Sequence, residues 1–308
     1  MGRSRAAAAL LAIALSACGT AAPVGGPAGQ PAVPPNADPA GPDWDSSRWV
    51  AGDPFRGFGA WVDVYDEKLW ADPEGTVARI ADRGARTLYL QTASTSTKRR
   101  MIRFPEATAR FLDAARRRGV RTVAWYLPEL LGAPKDLRRA VTAATFTTEN
   151  GARFDGVALD IEATHEPDPL LRADRLLELS RQVRGILGSD YPLGAIVPSP
   201  IRGPDFWPVL PVAELAKVYD AILPMAYWTF HISGEDAAHG FISQSIRMLR
   251  EEAGPEVPIH VIGGIADTSP GELRGFVRAV RDADVVGASV YDVDTTDERG
   301  WRVLQELG

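Results

Sequence analysis

The chain has 308 residues, a hydrophobic fraction of 45% and a formal net charge of -6, enough apolar material to fill a sizeable core. An acidic balance without a long Lys/Arg run argues against a nucleic-acid partner. Cys18 is the sole cysteine, which excludes an intrachain disulfide, a thiol nucleophile and a cysteine-metal site.

In chain order, residues 1–17 read as a targeting segment, with Arg3 and Arg5 giving a positive start and Ala6–Ala14 a short apolar run. That run is too short to span a bilayer as a permanent helix. Leu15-Ser16-Ala17-Cys18 then resembles the lipobox of bacterial lipoproteins, in which cleavage before the cysteine leaves it carrying lipid. The resemblance implies a domain anchored to the membrane through Cys18, on the extracytoplasmic side. Residues 18–45 are crowded with Pro, Gly and Ala and cannot bury enough surface to offset their ordering entropy, so they read as a disordered tether. Residues 46–308 remain, about 260 residues and the size of one α/β barrel domain. A monomer is expected.

Within that domain, β-rich runs alternate with helical patterns. Strands are predicted at Gly59–Tyr65, Thr87–Gln91, Thr122–Tyr126, Phe154–Glu162, Leu193–Val197, Ala221–Tyr227, Ile259–Ile265 and Val285–Tyr291. Between them lie amphipathic segments at Glu106–Arg117, Leu137–Phe146, Leu170–Leu187, Phe241–Glu252 and Gly271–Arg281. Asp72-Pro73 places proline in a first helical turn, and Ser269-Pro270-Gly271-Glu272 has the spacing of a capping box. Eight strands, most followed by a helix, predict a (β/α)8 TIM barrel. An open doubly wound sheet is the alternative, but no GxGxxG or GxxxxGK[ST] stands at a strand end, and no cofactor is expected.

In such a barrel the chemistry sits where strands end. Residues two apart on a strand share a face, about 6–7 Å between Cα atoms. Asp160 and Glu162, closing the run FDGVALDIE, therefore form a carboxylate pair. Two neighbouring acids resist joint ionisation, so one can stay protonated near neutral pH and act as a general acid. The same rim collects Trp61, Asp63 and Tyr65 from strand one, and Trp125, Tyr126 and Glu129 from strand three. Strand six adds Tyr227 and Trp228, strand seven Asp267, and strand eight Tyr291, Asp292 and Asp294. Flat rings among polar groups suit a sugar, whose C–H faces stack on aromatics. Metal is a poor fit, because His165, His231, His239 and His260 show no HxH or HxxxH spacing. His260, inside an apolar strand, reads as a satisfied core residue. No GxSxG elbow supports a serine hydrolase.

At these residues the chain resembles glycoside hydrolase family 18, the chitinase-like barrels. Their strand-four motif DGxDxDxE compares with Asp155-Gly156-Val157-Ala158-Leu159-Asp160-Ile161-Glu162, their MxYD with Met225-Ala226-Tyr227-Trp228, and their GxxxWxxD with Gly287, Tyr291 and Asp294. The resemblance implies Glu162 as the acid protonating the leaving oxygen. It implies Asp160 and Tyr227 as the groups holding a substrate 2-acetamido group, whose carbonyl oxygen attacks the anomeric carbon. Tyr291 stands where the family has tryptophan. Ala158 and Trp228 replace two family aspartates, which puts plain chitin in doubt as the substrate. A weaker resemblance links LDIE and Asp63 to family 25 muramidases. The expected protein is a glycoside hydrolase on an N-acetylhexosamine-containing glycan, chitin-like or peptidoglycan-like. Catalysis falls to Glu162, Asp160 and Tyr227, and binding to Trp61, Asp63, Tyr65, Trp125, Trp228, Tyr291 and Asp294. Two alternatives stay open: another polysaccharide cleaved by a conventional pair drawn from Asp63, Asp160, Glu162 and Asp294, and an inactive sugar-binding barrel.

Overall fold

The computed structural model describes residues 53–94, 97, 100–205, 207–264 and 268–307. The predicted signal segment, Cys18 and the tether lie outside the described residues, as does Asp267. Eight strands run in parallel and close into a barrel in sequential order. They are β1 (Gly57–Val62), β2 (Thr87–Ala93), β3 (Arg121–Tyr126), β4 (Gly156–Asp160), β5 (Leu193–Pro198), β6 (Ala221–Ala226), β7 (His260–Gly263) and β8 (Gly287–Val290). Closure comes from β8 pairing back onto β1, with Ala60 opposite Val290. The expected (β/α)8 architecture is therefore the observed one.

The helices follow the strands. α1 (Glu67–Ala71) and α2 (Pro73–Asp82) connect β1 to β2, α3 (Pro105–Arg118) follows β2, α4 (Ala133–Thr145) follows β3, and α5 (Pro169–Leu187) follows β4. After β5 come the 3-10 turn Gly203–Asp205 and the single turn α6 (Val212–Leu215), then α7 (Glu235–Ala253), α8 (Pro270–Asp282) and α9 (Glu298–Leu304). Local chemistry sets these starts. Asp72 accepts a hydrogen bond from Gly75 N at 3.1 Å just before Pro73. Asp168 accepts from Leu170 N at 2.9 Å before Pro169. The Ser269 box closes in both directions, with Glu272 N donating to Ser269 Oγ at 3.2 Å and Ser269 N donating to Glu272 Oε2 at 2.9 Å. α3 ends at Gly119 with φ 66°, a left-handed position where glycine carries no Cβ penalty.

Strand alternation sorts the core into two bodies. Val157, Leu159 and Ile161 face outward to the helices, with Ala60, Val62, Leu88, Leu90, Ala195 and Val197. Trp61, Tyr89, Val123, Trp125, Ala158, Ile196, Leu223, Met225, Ile262 and Tyr291 face inward and fill the barrel. Bulky rings fit there because neighbouring strands are thinned. A Cβ at Gly59 would sit 2.6 Å from the Tyr89 ring, and one at Gly287 would sit 2.4 Å from His260 Nδ1.

The inward layer beneath the strand ends is polar and closed. Trp61 stacks on Tyr89 with centroids 4.1 Å apart and donates from Nε1 to Ser289 Oγ at 2.8 Å. His260 Nε2 lies 2.9 Å from the same Oγ, and its Nδ1 lies 2.8 Å from Phe55 O. Full burial pushes the His260 imidazole down to about 4, so it is neutral at physiological pH. His260 is thus a satisfied core histidine, as its place in an apolar strand suggests.

Candidate active site

β4 stops at Asp160, two residues short of the predicted end, and Ile161–Glu162 begin the turn that follows. Asp160 is 2% exposed at the top of the inward face, while Glu162 is half-buried at the mouth. Trp125, on the neighbouring strand and opposite Ala158 in register, donates from Nε1 to Asp160 Oδ2 at 2.8 Å. Asp160 Oδ1 has no donor among the described residues. Loss of water, and then the Glu162 charge, push the Asp160 carboxyl up; the Trp125 bond pulls the other way. Loss of water alone raises Glu162 to about 7. The site therefore holds an acid that keeps its proton near neutrality, beside a carboxyl fixed from below by an indole.

Two tyrosines frame the pair. Tyr227 follows β6 and is half-buried, with its ring 6.3 Å from that of Tyr291. Burial raises its hydroxyl, and the charges of Glu162, Asp160 and Asp292 raise it further, so it remains a donor across the physiological range. Tyr291 follows β8 and donates to Asp63 Oδ2 at 2.5 Å. Asp63 Oδ1 accepts from Tyr65 N at 2.6 Å, and Asp63 N donates to Asp66 Oδ2 at 3.0 Å. Asp292, joined to Tyr291 by a cis peptide, is fully buried. Burial is the main cause raising all three of these acids, taking Asp66 to about 8 and Asp292 to about 6.

The structure brings together Asp63, Trp125, Asp160, Glu162, Tyr227 and Tyr291 from the predicted set. Tyr65 lies at the outer mouth, 45% exposed, with the Arg103 guanidinium 5.9 Å from its ring centroid. Asp294 is exposed on the same rim and adds its charge to Asp63, Asp66 and Asp292. Two predicted sugar platforms are placed otherwise. Trp61 is 1% exposed and belongs to the closed layer beneath the site. Trp228 is fully buried in the outer body, stacked on Phe276 with centroids 5.4 Å apart. Both rings are packing elements, because one lies a full strand layer too deep and the other turns outward as the 3-10 turn Trp228–Phe230 begins. Glu129 is held by Lys135 Nζ at 2.6 Å.

Asp66 has no counterpart in the sequence-based set. Its position just before α1 suggests an ordinary helix cap, yet its side chain makes no cap bond and reaches back to Asp63 N instead. An Asp-x-x-Asp at a barrel strand end is the signal that would have marked it.

No protein-family model matches the sequence, and no curated protein matches it. Solved structures do resemble the fold. The Bacillus cereus spore cortex-lytic enzyme SleL superposes with a TM-score of 0.59 at 10% identity, covering 82% of this chain and 74% of that one. The endo-beta-1,4-mannanase of Thermotoga petrophila gives 0.63 at 11% identity, over 83% and 77%. A glycoside hydrolase family 18 N-acetylglucosaminidase from Paenibacillus barengoltzii gives 0.56 at 11% identity, over 82% and 99%. At such identities these likenesses establish the barrel, which glycoside hydrolases of several specificities share.

Proposed function

We propose that this protein is a glycoside hydrolase acting on an N-acetylhexosamine-containing glycan, with Glu162 as general acid. The observation that carries the reading is the pair at the end of β4. Glu162, raised to about 7, can deliver a proton to a leaving oxygen at neutral pH, beside Asp160 anchored by Trp125. Asp160 and Tyr227 then hold the 2-acetamido group, and its carbonyl oxygen closes on the anomeric carbon as the leaving oxygen takes the Glu162 proton. Water opens the cyclic intermediate, returning a proton to Glu162. In the resembling family an inner aspartate supports the residue at the Asp160 position. Here Ala158 stands in that place, and the Trp125 indole supplies the hydrogen bond from the adjacent strand. Barrels of glycan-cleaving enzymes among the structural neighbours support the same class.

The decisive experiment incubates the protein with peptidoglycan, chitin oligomers and neutral glycans and measures new reducing ends. Release from N-acetylated polymers and none from de-acetylated ones is expected. Labelling of Asp160, Glu162 or Asp63 by a 2-fluoro sugar, seen by mass spectrometry, would favour a conventional nucleophile instead. Release from no polymer would leave the inactive binding barrel. We further propose that the domain is displayed on the outer side of the membrane through a lipid on Cys18. Full-length protein should enter the detergent phase, and Cys18→Ala should not; identical partitioning would end that reading.

A further inference from the structure

Closing β8 onto β1 brings Asp292 to Asp63 and Asp66, which lie far earlier in the chain. One carboxylate oxygen from each of Asp63, Asp66 and Asp292 lies within 4.8 Å of the other two, and all three residues are buried. Among the described residues no lysine or arginine forms an ion pair with any of them. Asp292 is fully buried, its Oδ1 accepts from Thr295 N at 2.9 Å, and its Oδ2 has no donor among the described residues. Asp294 adds a further negative charge from the mouth of the same loop. A buried carboxylate oxygen without a donor, in a cluster without a cation, is costly to keep ionised.

We propose that Asp63, Asp66 and Asp292 form a binding site for a hard divalent cation, calcium by its tolerance of irregular oxygen geometry. Carboxylate oxygens with no nitrogen or sulfur donors suit calcium or magnesium and not zinc or copper. Calcium–oxygen bonds of about 2.3–2.6 Å put opposite ligands about 4.6–5.2 Å apart, whereas a magnesium shell spans only about 4.2 Å. Three oxygens within 4.8 Å of one another can reach one calcium ion, whose flexible geometry accepts an irregular ligand set that the octahedral magnesium shell does not. Water completes the coordination, as in many calcium sites with few protein ligands. The bound ion replaces mutual repulsion by attraction and ties the loop after β1 to the loop after β8. Val293 N donates to Trp61 O there at 3.2 Å and continues the strand pairing. Through the Tyr291 hydroxyl on Asp63, the ion also fixes one wall of the cleft. This site does not depend on the glycosidase reading.

The test uses the full-length protein in detergent, stripped with a chelator. Titration calorimetry with calcium chloride should show one saturable site, and calcium should bind more tightly than magnesium. At a hundredfold excess over Kd the unfolding midpoint should rise by about 5–10 °C. Asp66→Asn and Asp292→Asn should each weaken calcium binding at least about tenfold. Each should also raise the midpoint of the metal-free protein, since a buried carboxyl that is costly to ionise is gone; a merely structural carboxylate would not give that crossed pattern. The exposed control Glu256→Gln should behave like wild type. Should the variants fail to fold, terbium on the wild type keeps the question open to refutation. Trp70 donates to Asp63 O at 2.6 Å and stands ready to sensitise terbium emission, which calcium should then quench by competition. No saturable heat and no sensitised emission would overturn the site. Tighter binding of magnesium than calcium would overturn the calcium assignment.

Discussion

The floor of the barrel and its rim lie one above the other, yet they solve opposite problems. On the floor, Trp61, Tyr89, His260 and Ser289 are neutral and hydrogen-bonded, so burying them costs little beyond ordering. Above it, Asp160 and Asp292 each retain a buried carboxylate oxygen with no donor among the described residues. The burial that makes the floor rigid pushes the rim acids up toward neutrality. Stability is concentrated below and charge stress above, the division expected when a fold holds a reactive site open.

The largest expected break in this contrast is chemical. Glu162→Gln keeps shape and removes the transferable proton, so kcat should fall by about 10²–10⁴ with KM little changed. In the wild type, activity should decline as pH rises through about 7, because Glu162 loses its proton there. That alkaline limb should vanish in the variant. A near-normal rate on a substrate with a poor leaving group would move the acid role to another residue.

Breaking the floor should cost stability instead. Ser289→Ala leaves the Trp61 Nε1 and His260 Nε2 without their shared partner in a fully buried layer. A loss of about 1–3 kcal/mol in denaturant unfolding is expected, with kcat at saturating substrate nearly unchanged. A neutral effect would mean that the layer is less closed than its hydrogen bonds indicate.

Trp125→Phe probes the junction of the two regions. The ring is retained, but Asp160 Oδ2 loses its only described donor. That bond favours the ionised form, so its loss should raise the Asp160 carboxyl further. The acidic limb of the rate profile should then move to higher pH. A fall in kcat of about tenfold with unchanged KM is expected, and Trp125→His should recover part of it by restoring a ring N–H. An unshifted acidic limb would reduce Trp125 to packing.

How much of this could be read in advance depends on how local the information is. Buried parallel strands are continuous apolar runs, so TLYLQ, TVAWY and LGAIV each identify β2, β3 and β5 without help from the rest of the chain. Helix starts marked by Pro73, Pro169 and Ser269 are equally local. The one-turn α6 carries too few residues to show a period. Depth is not local either. Trp61 and Asp63 share a face by alternation, but only the closed barrel decides that the first is floor and the second rim. The predicted barrel puts Asp63 and Asp292 on one rim, but their grouping with Asp66 depends on where the loops after β1 and β8 send each side chain, which spacing does not give. Trp228 follows the motif position faithfully, yet the 3-10 turn sends its ring to Phe276.

The smallest expected effect reverses the sign of the first. Glu162 is held near 7 in the folded protein against an ordinary 4.5, so the folded state binds this proton more tightly than the unfolded chain does. Between these two values folding takes up a proton, and the contribution of Glu162 to stability falls as pH rises through that window. Below about 4.5 both states are protonated and the residue is neutral in its effect; above about 7 the partly buried charge is carried in full. Glu162→Gln removes the penalty. Its unfolding midpoint should match that of the wild type near pH 4.5 and exceed it above pH 7 by about 2–4 °C, modest because the group is only half-buried. The measurement is a pair of thermal melts at each of several pH values. An unchanged difference across the window would show that Glu162 titrates alike folded and unfolded, and Glu162 would then not be an acid tuned for neutral pH. A gap opening between pH 4.5 and 7, together with the loss of turnover, would put stability cost and catalytic capacity on the same carboxyl group.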